Sequence, residues 1–119
     1  MALHLLKGKN AELLAQRYLE KNGLQPRENN YRCRRGEIDL IMYDGDILVF
    51  VEVRYRKSEL FGSACESVTS SKQRKLLAAA NLYLQQHHIY SPCRFDIVGI
   101  TGDNDNYRID WLKDAFQSD

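Results

Sequence analysis

Apolar residues are densest between Gly36 and Arg54, where GEIDLIMYDGDILVFVEVR sets two runs rich in Ile, Leu and Val around Asp44-Gly45-Asp46. Two such runs about a short Asp/Gly turn predict an antiparallel hairpin. Ahead of it, Ala11, Leu14, Ala15, Tyr18 and Leu19 recur at helical spacing. They predict a helix capped by Asn10 and running to about Asn22, with Gly23 as its stop. Pro26 and the Asn29-Asn30 pair mark residues 25–30 as a connecting loop, and Tyr31 to Arg34 reads as a short edge strand. Residues 53–65 carry Gly62 and a basic tract and read as a loop. Leu76, Leu77, Ala80, Tyr83 and Leu84 form the apolar side of a second helix, about Ser71 to His88. Arg94 to Ile100 reads as a third core strand, Thr101 to Asn106 as a turn and Tyr107 to Ile109 as a short pairing strand. Trp111 to Phe116 reads as a short amphipathic helix covering the sheet edge. The order predicts one α/β domain over residues 1–119, a central mixed sheet with a helix on each face.

Side chains alternate along a strand, so Glu37, Asp39, Ile41 and Tyr43 share a face, as do Leu48, Phe50, Glu52 and Arg54. If Gly45 and Asp46 form the loop, Asp44 pairs with Ile47 and Asp39 falls opposite Glu52. If Asp44 and Gly45 form it, Asp39 faces Phe50 and lies diagonal to Glu52. Both registers put the two carboxylates on one face, with Cβ atoms roughly 4.5–8 Å apart. On an exposed face they would simply meet solvent. On a covered face they repel, and a bound cation relieves them. Ile41, Leu48 and Phe50 on the same face favour a covered one.

Composition narrows the class. The 119 residues are 44% hydrophobic and 28% charged, as in a soluble globular protein with a single modest core. No run approaches the ~18 apolar residues of a membrane helix. Met1 to Lys9 has too short an apolar patch for a signal peptide and no small-residue cleavage site, which points to a cytoplasmic protein without membrane attachment. Cys33, Cys65 and Cys93 are odd in number and widely spaced, fitting neither a disulfide framework nor a zinc site. Net charge is only +1, so global charge announces no partner. Locally, Arg32, Arg34, Arg35, Arg54, Arg56, Lys57, Lys72, Arg74 and Lys75 crowd between the hairpin's entrance and the helix after it. Basic residues interleaved with Tyr55 and Phe61 suit a nucleic-acid backbone and a base to stack on.

Asp39, Glu52 and Glu12 offer hard oxygen ligands of the kind that hold Mg²⁺ or Mn²⁺ together with water and substrate phosphate. Glu12 borders the apolar stripe of the first helix; as a first-turn acid it also suits the helix dipole. A cation beside a phosphodiester activates water and stabilises charge on phosphorus, and Arg54, Arg56 and Lys72 can hold phosphate oxygens. Lys72 sits in a first turn, where a cation opposes the dipole. His87 and His88 diverge around a helix and make poor joint ligands, and Asp103 with Asp105 lacks the Gly and Glu of a calcium loop. The glycine-rich GxxxxGK[ST], the GxSxG and the dinucleotide fingerprints are all absent.

The acidic residue in helix one, GEIDLI, VFVEVR and the later RFDIV together resemble the YraN-like family, from Gly8 through Asp96. That family is grouped with the PD-(D/E)xK nucleases and is similar to archaeal Holliday-junction resolvases. The resemblance implies a restriction-endonuclease-like core. It matches Asp39 to the metal-binding aspartate, Glu52 to the acidic residue of (D/E)xK, Glu12 to the helix-one glutamate, and Lys72 to a lysine opening the next helix. Gly36 and Glu37 match the Gly-Glu before the aspartate. The motif's lysine is here Arg54, which can stabilise charge but cannot act as a base.

The expectation is therefore a Mg²⁺- or Mn²⁺-dependent endonuclease-like protein acting on DNA, branched or structured DNA included. Asp39, Glu52 and Glu12 would hold metal, with Asp39, Glu52, Arg54 and Lys72 at the reaction. Arg34, Arg35, Arg56, Lys57, Lys72 and Lys75 would contact nucleic acid. The alternative is a nucleic-acid-binding protein that keeps the fold without cleavage; a domain binding a protein through its basic loop is a third. Analogy with resolvases, which cut symmetric strands, implies a homodimer.

Overall fold

The computed structural model describes residues 9–60, 62–103 and 106–117. Helix α1 (Lys9–Lys21) leads into β1 (Gln25–Cys33), β2 (Gly36–Asp44) and β3 (Ile47–Arg56). A single 3-10 turn (Cys65–Ser67) precedes α2 (Ser70–His87), and β4 (Cys93–Asp103) and β5 (Asn106–Phe116) complete the chain. The five strands lie side by side in sequence order. All neighbours are antiparallel except β3 and β4, which are parallel and joined through α2, as a parallel pair requires.

Each face of the sheet has its own apolar layer. Ile41, Leu48, Phe50, Phe95 and Ile97 pack under Leu76, Ala79, Ala80 and Tyr83 of α2, with Phe50 stacked on Phe95 and Phe95 on Phe116. Leu40, Met42, Val49, Val51, Val98 and Ile100 pack under Ala11, Ala15 and Leu19 of α1. Because β3 is buried on both sides, its ILVFV run reads as continuous rather than alternating. The α/β class, the mixed sheet and the helix on each face agree with the sequence reading.

Five boundaries differ from it. Thr101 to Asp103 and Asn106 are strand, not turn, because antiparallel pairing of β4 with β5 continues to Asp103 against Asn106. Asn10 lies inside α1, which starts a residue earlier. Residues 25–30 are strand, not loop: β1 is an edge strand, where Pro26 has no neighbour on its outer side to disappoint, and a bulge between Pro26 and Glu28 absorbs the misfit. Residues 53–56 are also strand, because parallel pairing with β4 continues to Arg56 against Thr101. Trp111 to Phe116 is not a helix. It continues β5, and the two-residue offset between Phe95↔Phe116 and Ile97↔Leu112 marks a bulge, at which Asp114 takes a φ of 52°.

That bulge is organised by Asp96, which is fully buried. Its carboxylate accepts from Arg94 Nε at 3.0 Å, Trp111 Nε1 at 2.9 Å and the Asp114 N–H at 3.0 Å. The hairpin turn settles the open register. Asp44 pairs with Ile47, and Gly45 has a φ of 61°, as the first position of a tight two-residue loop needs. The three cysteines are free thiols, and among the described residues no helix is long and apolar enough to cross a membrane.

Candidate functional site

The β2–β3 ladder runs from the turn to Leu40↔Val51 and stops there. One step further, Asp39 would face Glu52. Instead the strands part, and Asp39 Oδ2 accepts the backbone N–H of Val53 at 2.8 Å. Strand β3 stays in the sheet through its other neighbour, Glu52 registering with Ile97 of β4. Glu52 is thus held in mid-sheet and only 4% exposed. The parting leaves a cavity of about 190 Å³, lined by Glu12, Glu37, Asp39, Glu52, Arg54 and Lys72 among others.

Two cations close on the buried carboxylate. Lys72 Nζ lies 3.7 Å and Arg54 Nη1 3.4 Å from Glu52 Oε2. Lys72 is delivered by the start of α2, where Thr69 caps the helix by accepting the Lys72 N–H at 3.2 Å. A lysine opposes the dipole at that position; the Glu52 carboxylate offsets it. Arg54 is fixed from behind. Its Nε donates to Ser67 Oγ at 2.8 Å, and Ser67 in turn donates to the Ala64 carbonyl at 2.6 Å.

Burial and repulsion together exceed what those cations cancel. Burial first, then the charge of Asp39, push Glu52 up to about 8, although Lys72 and Arg54 pull it down. Burial and Asp39 likewise push Glu12 up to about 7, with a hydrogen bond from Asn30 acting the other way. Asn30 reaches this position from β1 with a left-handed φ of 56°, a conformation Asn tolerates better than most residues. The site therefore favours protons or another cation.

A family model described as "Uncharacterised protein family UPF0102" matches residues 11–100. A UPF0102 protein of Nitrosococcus oceani is 52% identical over 118 residues, covering 98% of this chain and 95% of the relative. Those of Stutzerimonas stutzeri and Aeromonas hydrophila are 49% and 50% identical, over 93% and 92% of this chain and 94% and 84% of theirs. The chain belongs to UPF0102. This is the family, also called YraN, to which the motifs pointed.

In this UPF0102 chain, Glu12, Asp39, Glu52, Arg54 and Lys72 come together from α1, β2, β3 and α2. Among the described residues no three His, Cys, Asp or Glu side chains stand close enough to cage a metal unaided. The donor set fits an open Mg²⁺ or Mn²⁺ site, which takes one or two carboxylates and completes its shell with water and phosphate. Arg34, Arg35 and Lys75 lie outside this cavity, at the β1–β2 turn and on α2. Arg56 ends β3 and Lys57 follows it, both exposed. Glu37 is exposed and pairs with Arg32 at 3.4 Å. His87 and His88 are exposed at the end of α2. Phe61 and Asp105 lie outside the described residues. Ser67 and Asn30 escaped the sequence reading. Nothing marks Ser67 in sequence, and the Asn29-Asn30 pair reads as a loop.

Proposed function

We propose that this UPF0102 protein is a Mg²⁺- or Mn²⁺-dependent endonuclease-like protein that hydrolyses phosphodiesters in DNA, branched or structured DNA included, on a PD-(D/E)xK core. One observation carries the reading: Asp39 and Glu52 share one cavity at a parted hairpin, with Lys72 and Arg54 on the buried carboxylate. Asp39 and Glu52 would hold the cation, with Glu12 as a third oxygen donor. When bound, that cation supplies charge stabilisation at phosphorus. Lys72 and Arg54, which flank the Glu52 carboxylate, would bind oxygens of the scissile phosphate. Arg56 at the end of β3 and Lys57 just after it would contact the flanking backbone. A cytoplasmic homodimer, by analogy with resolvases, belongs to the same reading.

The test is cleavage of labelled single-stranded, duplex, flap and four-way-junction DNA in Mg²⁺ and then Mn²⁺. Wild type should cut at least one substrate, and Asp39→Ala and Glu52→Ala should each abolish it. A second reading rests on Arg54. Tied to Ser67 and permanently charged, it cannot take a proton from water, and the protein would bind DNA without cutting it. Binding without cleavage in either metal selects that reading.

A further inference from the structure

A second cavity, of about 320 Å³, lies on the outer side of α2. Arg34 and Arg35 of the β1–β2 turn form one wall; Asn81 and Gln85 of α2 form the other, over a floor of Ala78 and Leu82. All four polar side chains can donate hydrogen bonds, and no carboxylate lines the cavity. Among the described residues, neither guanidinium has an ion pair and neither amide a side-chain partner. Of the other arginines, Arg32 pairs with Glu37, Arg54 with Glu52, Arg94 with Asp44 and Asp96, and Arg108 with Glu59 and Asp110, while Arg17, Arg56 and Arg74 have no ion pair among the described residues but do not line this cavity. Two uncommitted guanidiniums converging with two amides make an anion site, because guanidinium pairs bidentately with phosphate oxygens.

Position says which anion. The turn is seated on the helix: a Cβ at Gly36 would come 3.3 Å from the Lys75 carbonyl oxygen. Lys75, Ala78, Leu82 and Gln85 follow one another at i+3, i+4 and i+3 along a single helix face. Lys72, which touches Glu52, begins that line. At a rise of 1.5 Å per residue, the Asn81 and Gln85 amides of the cavity lie roughly 14–20 Å along the axis from Lys72, with exposed Lys75 between. Duplex DNA offers a phosphate on each strand about every 3.4 Å of its axis, so the cavity would meet a phosphate about four to six base pairs from one at Lys72.

We propose that Arg34, Arg35, Asn81 and Gln85 form a second phosphate subsite that holds the DNA backbone several base pairs from the carboxylate centre. This rests on the nucleic-acid reading above and deepens it, setting a minimum length for tight binding. The variant Asn81→Asp/Gln85→Glu places two carboxylates in the cavity without changing its shape. Arg34→Ala/Arg35→Ala removes the cations by another route. All are exposed or half-buried, and thermal unfolding checks that the variants fold.

Fluorescence anisotropy with labelled duplexes of about 4, 8 and 16 base pairs, in EDTA, measures binding apart from cleavage. Wild type should gain affinity steeply once the duplex spans the cavity. Each variant should lose tenfold or more on the longest duplex, little on the shortest, and one to two phosphates' worth of salt slope. Long-duplex affinity within twofold of wild type in both variants would overturn the subsite. So would inorganic phosphate titrating the Asn81 and Gln85 amide NMR signals while no duplex of any length binds, which would assign the cavity to a small phosphate ligand. Length-dependent binding lost in the variants, with cleavage absent in wild type, upholds the subsite and removes only the nuclease activity.

Discussion

Asp39 and Val53 are joined side chain to backbone, Oδ2 to N–H at 2.8 Å, where a regular hairpin would have joined backbone to backbone. The bond lets the strands part while leaving no orphaned N–H. Asn at position 39 keeps an acceptor for Val53 but removes the charge that pushes up Glu12 and Glu52. Asp39→Asn should therefore unfold a few degrees above wild type at pH 8 in EDTA, while losing metal-dependent cleavage. Asp39→Ala abandons the Val53 N–H, at a cost of about 1–3 kcal/mol, and should fall below Asp39→Asn. Thermal unfolding of the three proteins checks the order, and an Asn variant less stable than the Ala variant would contradict it.

The two raised carboxyls give an unusual pH dependence. A carboxyl near 4.5 when unfolded and about 8 when folded binds more protons in the native state between those values. Its contribution to stability is full below pH 4.5 and is lost as pH rises through 8. Metal-free protein should lose stability between pH 5 and 8.5 by an amount on the order of a few kcal/mol. Glu52→Gln should flatten much of that slope in denaturant titrations. Mn²⁺ should restore stability at the alkaline end, because binding requires the deprotonated oxygens. A rising or flat profile without metal would show that these groups are not raised.

Arg54 and Ser67 test which reading holds. Arg54→Lys restores the lysine of the motif but gives up the Ser67 contact. Nicking in this variant should equal or fall below wild type if the arginine already serves the reaction. Nicking that appears only in Arg54→Lys would favour a protein that binds without cutting. Ser67→Ala should lower kcat several-fold with little change in DNA affinity, since it frees the guanidinium without removing its charge.

Asp96 should matter as much to the fold as Asp39 does to the site. Asp96→Ala leaves Arg94 with Asp44 alone and strands Trp111 Nε1 and the Asp114 N–H. Breaking such a buried charged network costs about 3–5 kcal/mol. Trp111 is the chain's single tryptophan, so its fluorescence in denaturant reports the loss directly. A change below 1 kcal/mol would mean the bulge holds without the carboxylate.

The hairpin, both helices and the two apolar faces were legible because each rests on local periodicity. The meeting of Asp39 with Glu52 was legible too, since both candidate registers shared a face. The strand edges were not. Asn-Asn and Pro26 resemble a loop until an adjacent strand supplies pairing. The misread end of β5 has a sharper cause. Its bulge inserts residues between Leu112 and Phe116, giving a strand the i, i+4 spacing of a helix. The bulge in turn depends on Asp96, a residue in another strand. No window of sequence contains both.

The sheet's strand order is also its order of synthesis. Every strand but one can pair with its neighbour as soon as the intervening turn has formed. The exception is β4, which must wait for residues 57–92, and those include α2. Glu12, Asp39, Glu52, Arg54 and Lys72 are all translated before β4 exists. Until it arrives, Glu52 stands on an open edge, wet and ordinary. Pairing with β4 is what takes Glu52 off that edge, so the charge tension of the site depends on strands that follow every one of its residues in the chain.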